Sequence, residues 1–311
     1  MEKEVLVVDR VEDFKETPAD NKAARFFSEV VEPYKRELAR IEEEQSRTVG
    51  FSSHLQNRLN DATNNLESLC TEFEKDMAFS DKEGLEEAKK RFRAEIEPWY
   101  KQSFLMNQAR TKPSGHPGDF AIIEATYDNA PVTPGGIGAY LDNYYLNSHL
   151  AAAIRNRKDF ARDWLANVIR ANPRAKIFNI ASGSCREWQE MPKSVNTNEV
   201  NLTCLDLDQE SLDYIKDRLA RQEKPVKLKT VKENVLRLAL GKEADLVAKH
   251  GRHDVVYSIW LYDYLPDKLL KRLLPAQEAL LADDGRMLLA FKDKEKYLPT
   301  RYDWLTDWRF V

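Results

Sequence analysis

A turn of small residues, followed one strand later by an acid, is where the residue types of this chain could hold a ligand. Ile177 to Ile180 reads as a buried strand, and Ala181, Ser182, Gly183 and Ser184 form a turn into a helical start. Leu202 to Leu205 is a second buried strand that ends on Asp206. Small residues let the backbone approach a ligand at such a turn, and an acid at the tip of the next strand suits the two hydroxyls of a ribose. Together they ask for an adenosine-containing ligand at the carboxyl ends of a parallel sheet. The dinucleotide fingerprint needs three glycines and this turn has one, Gly183, so a pyrophosphate would be poorly cradled. A ligand with a ribose but no phosphate, such as S-adenosylmethionine, fits better. An ordinary strand-to-helix turn with an acidic strand end is the competing reading, and the single glycine counts against a nicotinamide oxidoreductase.

The elements that would position this turn divide the chain into four parts. Residues 1–19 read as a flexible N-terminal arm, with one short apolar patch, Val5 to Val8, and then polar residues. Residues 20–110 read as a helical bundle domain. Leu55, Leu59, Ala62, Leu66, Leu69 and Phe73 alternate steps of four and three, and Leu85, Ala88, Phe92, Ile96 and Trp99 repeat the spacing. Ser80 with Glu83 makes a capping box, and Pro33 and Pro98 kink or restart their helices. Packing or dimerisation is the plainest role for this domain.

Residues 111–147 combine turn formers with Phe120, Tyr127, Tyr140, Tyr144 and Tyr145. A mere linker gains nothing from such aromatics, so the segment reads as a lid or connector, with His116, Asp119 and Tyr127 as candidate site residues or as turn-stabilising polar groups. From Ser148 an amphipathic helix, carrying Arg155 and Arg157, leads into residues 148–311. There strands alternate with helices: Ser211 to Arg221 a helix, Val226 to Val231 a strand, His253 to Ser258 a strand, Leu269 to Leu281 a helix, Asp283 to Gly285 a turn, Arg286 to Phe291 a strand. The fold class this implies is α/β, a doubly wound, mostly parallel Rossmann-like sheet behind an N-terminal helical domain.

Several segments in this order resemble class I S-adenosylmethionine-dependent methyltransferases, most closely the extracellular factor 3-hydroxypalmitic acid methyl ester biosynthesis proteins. They are PSGHPGDFAIIEATYDN, SHLAAAIRNR, IASGSCREW, LDLDQESLDYI, YSIWLYDYLPD and YDWLTDWRF, and they cover residues 111–311. The resemblance implies that Ala181, Ser182, Gly183 and Ser184 wrap the methionine part of the cofactor, that Asp206 takes the ribose hydroxyls and that Leu207 lies beside the adenine. It places Asn234, with Val235, at the adenine amino group, where many relatives have an acid. Ser258 and Ile259 then line the floor near the sulfonium, and Tyr262, Asp263 and Tyr264 face the acceptor. Arg186 either clamps a carboxylate of cofactor or substrate or pairs with Glu187 or Asp208. The usual C-terminal strand pair is missing, since only 20 residues follow Phe291, too few for a helix and two strands. The sheet edge is then covered by something else or the chain is a truncated relative, and a homodimer is the expected consequence.

Methyl transfer from a sulfonium needs alignment and exclusion of water, with no metal, and leaves S-adenosylhomocysteine. A carboxylate acceptor, as in a lipid acid, needs a clamp from His116, Tyr127, Arg155, Arg186 or Tyr262. A hydroxyl or amine needs Asp263, Asp119 or His116 to take a proton. A cofactor-binding but catalytically inactive protein is the alternative.

Composition sets the outer limits. Forty-eight Lys+Arg face 52 Asp+Glu without a basic run interleaved with aromatics, so no nucleic acid is expected. Three cysteines, Cys70, Cys185 and Cys204, sit at no metal-ligand spacing and make a poor disulfide framework. No run approaches a transmembrane span. A cytoplasmic protein acting on a small-molecule or lipid-acid substrate is the resulting expectation.

Overall fold

The computed structural model describes residues 18–78, 81–113, 115, 118–241, 243–293 and 299–310, so most of the expected N-terminal arm lies outside the described residues. The helical half follows from the apolar seams. Helices α1 (Pro18–Phe26), α2 (Glu32–Ser46), α3 (Ser53–Ala78) and α4 (Lys82–Tyr100) bury Leu38, Ile41, Leu59, Leu66, Phe92 and Ile96 against one another. Pro33 sits in the first turn of α2, after a π-helical stretch at Phe27–Val31. Ser80 lies outside the described residues. The cap of α4 is Asp81, which accepts the Gly84 N–H at 2.8 Å.

Residues 111–147 hold α6 (Phe120–Asp128) and α7 (Gly136–Leu146), after α5 (Phe104–Thr111). Tyr140, Tyr144 and Tyr145 of α7 are buried in the helical core. The carboxylate of Asp142 on α7 is fully buried and accepts the Ser103 hydroxyl and the N–H groups of Leu105, Val132 and Thr133. Four donors satisfy a charge that would otherwise be costly to bury.

Helix α8 (His149–Ala171), capped by Ser148, joins the halves: Leu150 and Ile154 belong to the helical core, whereas Leu165 and Ile169 pack on the sheet. The α/β half then runs β1 (Lys176–Ile180), α9 (Arg186–Gln189), β2 (Asn201–Asp206), α10 (Gln209–Ala220), β3 (Lys227–Lys232), α11 (Glu243–His250), β4 (His253–Ser258), α12 (Asp267–Glu278) and β5 (Leu281–Leu289). All strand pairs are parallel, in the order β3-β2-β1-β4-β5, with one apolar cluster on each face of the sheet. This is the doubly wound Rossmann-like sheet expected for the chain. The Asp283-Asp284-Gly285 turn lies inside β5 as a register shift against β4, where a Cβ on Gly285 would come within 2.9 Å of the His253 carbonyl.

Among the described residues no strand follows β5. The chain returns instead to the helical half as α13 (Pro299–Thr306). Trp304, 1% exposed, lies 5.4 Å from Phe26, 5.9 Å from Phe73 and 5.5 Å from Phe92, between ring centroids. Asp303 beside it pairs with the buried Lys89 ammonium at 2.7 Å. The closing aromatic motif therefore completes the helical core and leaves the sheet at five strands.

Two outcomes follow for stability. Trp304→Ala removes a side chain shared by three helices and should cost about 3–5 kcal/mol, read as a lower urea midpoint. His253 is buried with its ring 4.9 Å from Phe178, and burial holds its imidazole down at about 4. The unfolded chain, with an ordinary value near 6.5, takes the proton first. The contribution is thus complete above about pH 6.5 and lost as pH falls towards 4, and urea midpoints of His253→Gln should fall less over that window than those of the parent.

Candidate functional site

The bend after β1 is held in an unusual backbone conformation. Ala181, Gly183 and Cys185 adopt φ of +52°, +53° and +54°. Only glycine does this without penalty, so the other two cost about 1–2 kcal/mol each. Hydrogen bonds hold the bend in place. The Ser182 N–H and hydroxyl both reach the Leu205 carbonyl at 3.2 Å, and the hydroxyl is also 3.1 Å from the Asn179 carbonyl. The Gly183 N–H donates to Oδ2 of Asp206 at 2.9 Å, while Oδ1 accepts the Asp208 N–H at 3.0 Å. Ser211 on α10 donates its hydroxyl to the Gly183 carbonyl.

In front of the bend lies a cleft of about 270 Å³. Ala181, Gly183, Asp206, Asp208 and Ser211 line one side. Gly118, Phe120 and Ile123, at the start of α6, and Trp260, Leu261 and Tyr264, from the loop after β4, line the other. Phe120 and Ile123 are three apart and share a helix face. A Cβ on Gly118 would lie 2.6 Å from the Tyr264 hydroxyl, so only glycine lets the chain lie there undisturbed. The Trp260 indole donates to Tyr127 at 2.9 Å and the Trp308 indole to Tyr264 at 3.1 Å, fixing both aromatic walls.

Of the residues expected at a site, the cleft brings together Ala181, Gly183, Asp206 and Tyr264. Ser182 and Ser184 are buried supports of the bend, and Leu207 stands exposed at the tip of β2. Asn234 spends its side-chain oxygen on the Leu236 N–H at 2.9 Å and lines a separate small cavity with Arg237 and Lys249. Val235 packs on the core of the sheet face, and Ser258 and Ile259 are buried at the end of β4.

Apart from Tyr264, the described side chains among the expected catalytic and substrate residues have partners of their own. Tyr262 donates its hydroxyl to Gln277 at 2.8 Å and stacks on Phe291, turned into the core, where burial raises its pKa. Asp263 pairs with Arg157 at 2.7 Å, accepts the Lys292 N–H at 2.7 Å and has the Lys292 ammonium 3.7 Å away, so it anchors the loop. Asp119 is the N-cap of α6, accepting the Ile122 N–H at 3.0 Å and the Gln108 amide at 2.8 Å. The Tyr127 hydroxyl is buried against Trp260, and its pKa is pushed well up by that burial. Arg155 donates to the Leu146 carbonyl at 3.0 Å, with the Thr126 carbonyl at 3.5 Å. Arg186 pairs with Glu124, Asp128 and Glu190 at 2.8–2.9 Å, and not with Glu187 or Asp208. His116 lies outside the described residues. No group of three or more metal-binding side chains occurs among the described residues.

Sequence places the cleft beside the loop that begins at Trp260, but does not single out Gly118, Phe120, Ile123, Asp208 or Ser211 as lining residues. The i, i+3 spacing of Phe120 and Ile123 was the available signal; for Ser211 it was one turn of helix after Asp208.

If Asp263 is the anchor of its loop, Asp263→Asn leaves the largely buried Arg157 without its counter-charge. The variant should lose about 3–5 kcal/mol in urea unfolding, a loss that a solvent-facing general base would not produce.

No family model and no curated protein matches the chain. Among solved structures it is similar to a possible exported protein from Bordetella parapertussis, at 15% identity and a TM-score of 0.47 over 88% of this chain and 73% of that one. It is also similar to the CurJ carbon methyltransferase, at 11% identity and a TM-score of 0.42 over 93% of this chain and 78% of that one. Likeness at this level bears on neither the ligand nor the reaction.

Proposed function

We propose that the cleft binds S-adenosylmethionine and that the protein is an S-adenosylmethionine-dependent methyltransferase acting on a small molecule. One observation carries the reading: the Asp206 carboxylate and the Gly183 N–H meet at 2.9 Å at the edge of the 270 Å³ cleft, so the bend and the acid act as one ligand-facing unit. The same contact weighs against a dinucleotide. A pyrophosphate needs the N–H groups of the bend, and here a carboxylate already takes that of Gly183.

When bound, the cofactor supplies an activated methyl group. What remains for the chain is to hold the sugar at Asp206, to set the acceptor against Trp260 and Tyr264 in line with the methyl, and to keep water out with Phe120 and Ile123. Asp263 and Tyr262 are committed to ion pairing and core packing, so the roles of base and clamp expected of them are not part of this reading. Those same commitments favour a second reading, a protein that binds the cofactor without turning it over.

Calorimetry with S-adenosylmethionine should show saturable binding that Asp206→Ala weakens at least about tenfold. No binding by the folded protein, or undiminished binding by the variant, would remove the proposal. Transfer of a labelled methyl group to extracted small metabolites would exclude the idle reading.

A further inference from the structure

At the inner end of the bend lies a group of buried polar side chains that the proposed function does not use. Asn179 on β1, Cys185 in the bend, Glu187 and Trp188 on α9 and Tyr257 on β4 are each 2% exposed or less, and none of them lines the cleft. They converge on one atom. Oε1 of Glu187 accepts the Tyr257 hydroxyl at 2.6 Å and the Asn179 amide at 3.3 Å, and the Cys185 thiol donates to it at 3.7 Å. The Trp188 indole in turn donates to the Tyr257 hydroxyl at 2.7 Å. Next along α9, Gln189 donates its amide to the Ser184 carbonyl at 2.8 Å. A buried carboxyl is costly unless donors surround it. Here the donors come from β1, the bend and β4, so one side chain ties three segments together.

Cys185 has φ +54°, a conformation unfavourable for a residue with a Cβ, and Glu187 holds its thiol while Gln189 holds the carbonyl before it. Two residues earlier Gly183, at φ +53°, directs its N–H to Asp206. We propose that Glu187 is a positioning residue for the ligand of the cleft. By keeping Cys185 left-handed it sets the direction of the Gly183 N–H, and so the arrangement of Gly183 and Asp206 that a ligand meets. The inference rests on the S-adenosylmethionine reading for the ligand, and on the hydrogen bonds alone for the shape of the bend. A brace for the whole sheet would use the same contacts, and the two roles differ in what loosens when the carboxyl is removed. Loss of a positioning residue frees the bend and leaves β4 closed. Loss of a brace frees both alike.

Amide hydrogen exchange on the full chain, read by NMR residue by residue, separates them. The bend is followed at Ser182, whose N–H donates to the Leu205 carbonyl, and at Gly183; the sheet is followed at Val256 in β4. In Glu187→Leu the Ser182 and Gly183 amides should exchange at least about tenfold faster, with Val256 within about twofold of the parent. The same variant should bind S-adenosylmethionine at least about tenfold more weakly by calorimetry. Glu187→Gln keeps an acceptor oxygen for Tyr257 and Cys185 and should bind within about threefold of the parent. If Glu187→Leu does not fold, Tyr257→Phe, which removes the shortest of the three contacts to Glu187, carries the same comparison. Unchanged exchange at Ser182 and Gly183, equal acceleration at Val256, or binding within about threefold of the parent overturns the proposal. A parent that does not bind S-adenosylmethionine overturns the proposed function, while selective loosening of the bend then still assigns Glu187 its hold on Cys185, so the two failures are distinguishable.

Discussion

The hydrogen bond from the Gly183 N–H to the Asp206 carboxylate is the contact on which the ligand-facing end of this protein depends. It joins the bend after β1 to the tip of β2, two segments that share a parallel ladder from Lys176 to Ile180 and then diverge. Left-handed backbone at Ala181 and Cys185 is unfavourable for residues with a Cβ, and it persists because neighbouring groups over-determine it. Asp206 and Ser211 secure Gly183 from the front, and Ser182 ties the bend to Asn179 and Leu205 behind. A ligand arriving there meets polar groups already in place, which lowers the entropy cost of binding.

The helical half serves the same end of the sheet. Helix α6 reaches across to the α/β half through Glu124, which pairs with Arg186 on α9 and accepts from Tyr214 on α10, and through the Phe120 ring 5.5 Å from that of Tyr214. Helix α13 supports the other wall, because Trp308 just beyond it holds Tyr264 and stacks between Tyr145 and Phe310. The first half and last tenth of the chain thus form one core, and that core carries the aromatic side of the cleft.

Charged residues in this protein act mainly as ties between elements. Asp263, which the resemblance would place at the acceptor, pins the loop after β4 to α8 and to the end of β5. Asp119 starts a helix and Arg186 gathers three carboxylates. Breaking such a buried pair is costly, so these groups are poorly disposed to change partners during a reaction. The cleft consequently takes its character from what lines it, aromatic surface on one side and two acids on the other.

Periodicity and turn chemistry act over a few residues, and what depended on them was legible in the sequence: the helical seams of α3 and α4, the helix that begins at Ser148, the strand at His253 to Ser258 and the small-residue bend before an acid-tipped strand. Partner choice was not legible. A carboxylate finds its cation by distance alone, and the cations that matter lie far away in sequence, 62 residues from Glu124 to Arg186, 106 from Arg157 to Asp263 and 214 from Lys89 to Asp303. The same holds for the C-terminal tryptophans, whose apolar surface could have covered a sheet edge or a helical core with equal local consistency. Only the tertiary structure, by filling the space between Phe26, Phe73 and Phe92 with Trp304, decided between them, because close packing is a property of the assembled core and has no counterpart in a short stretch of chain.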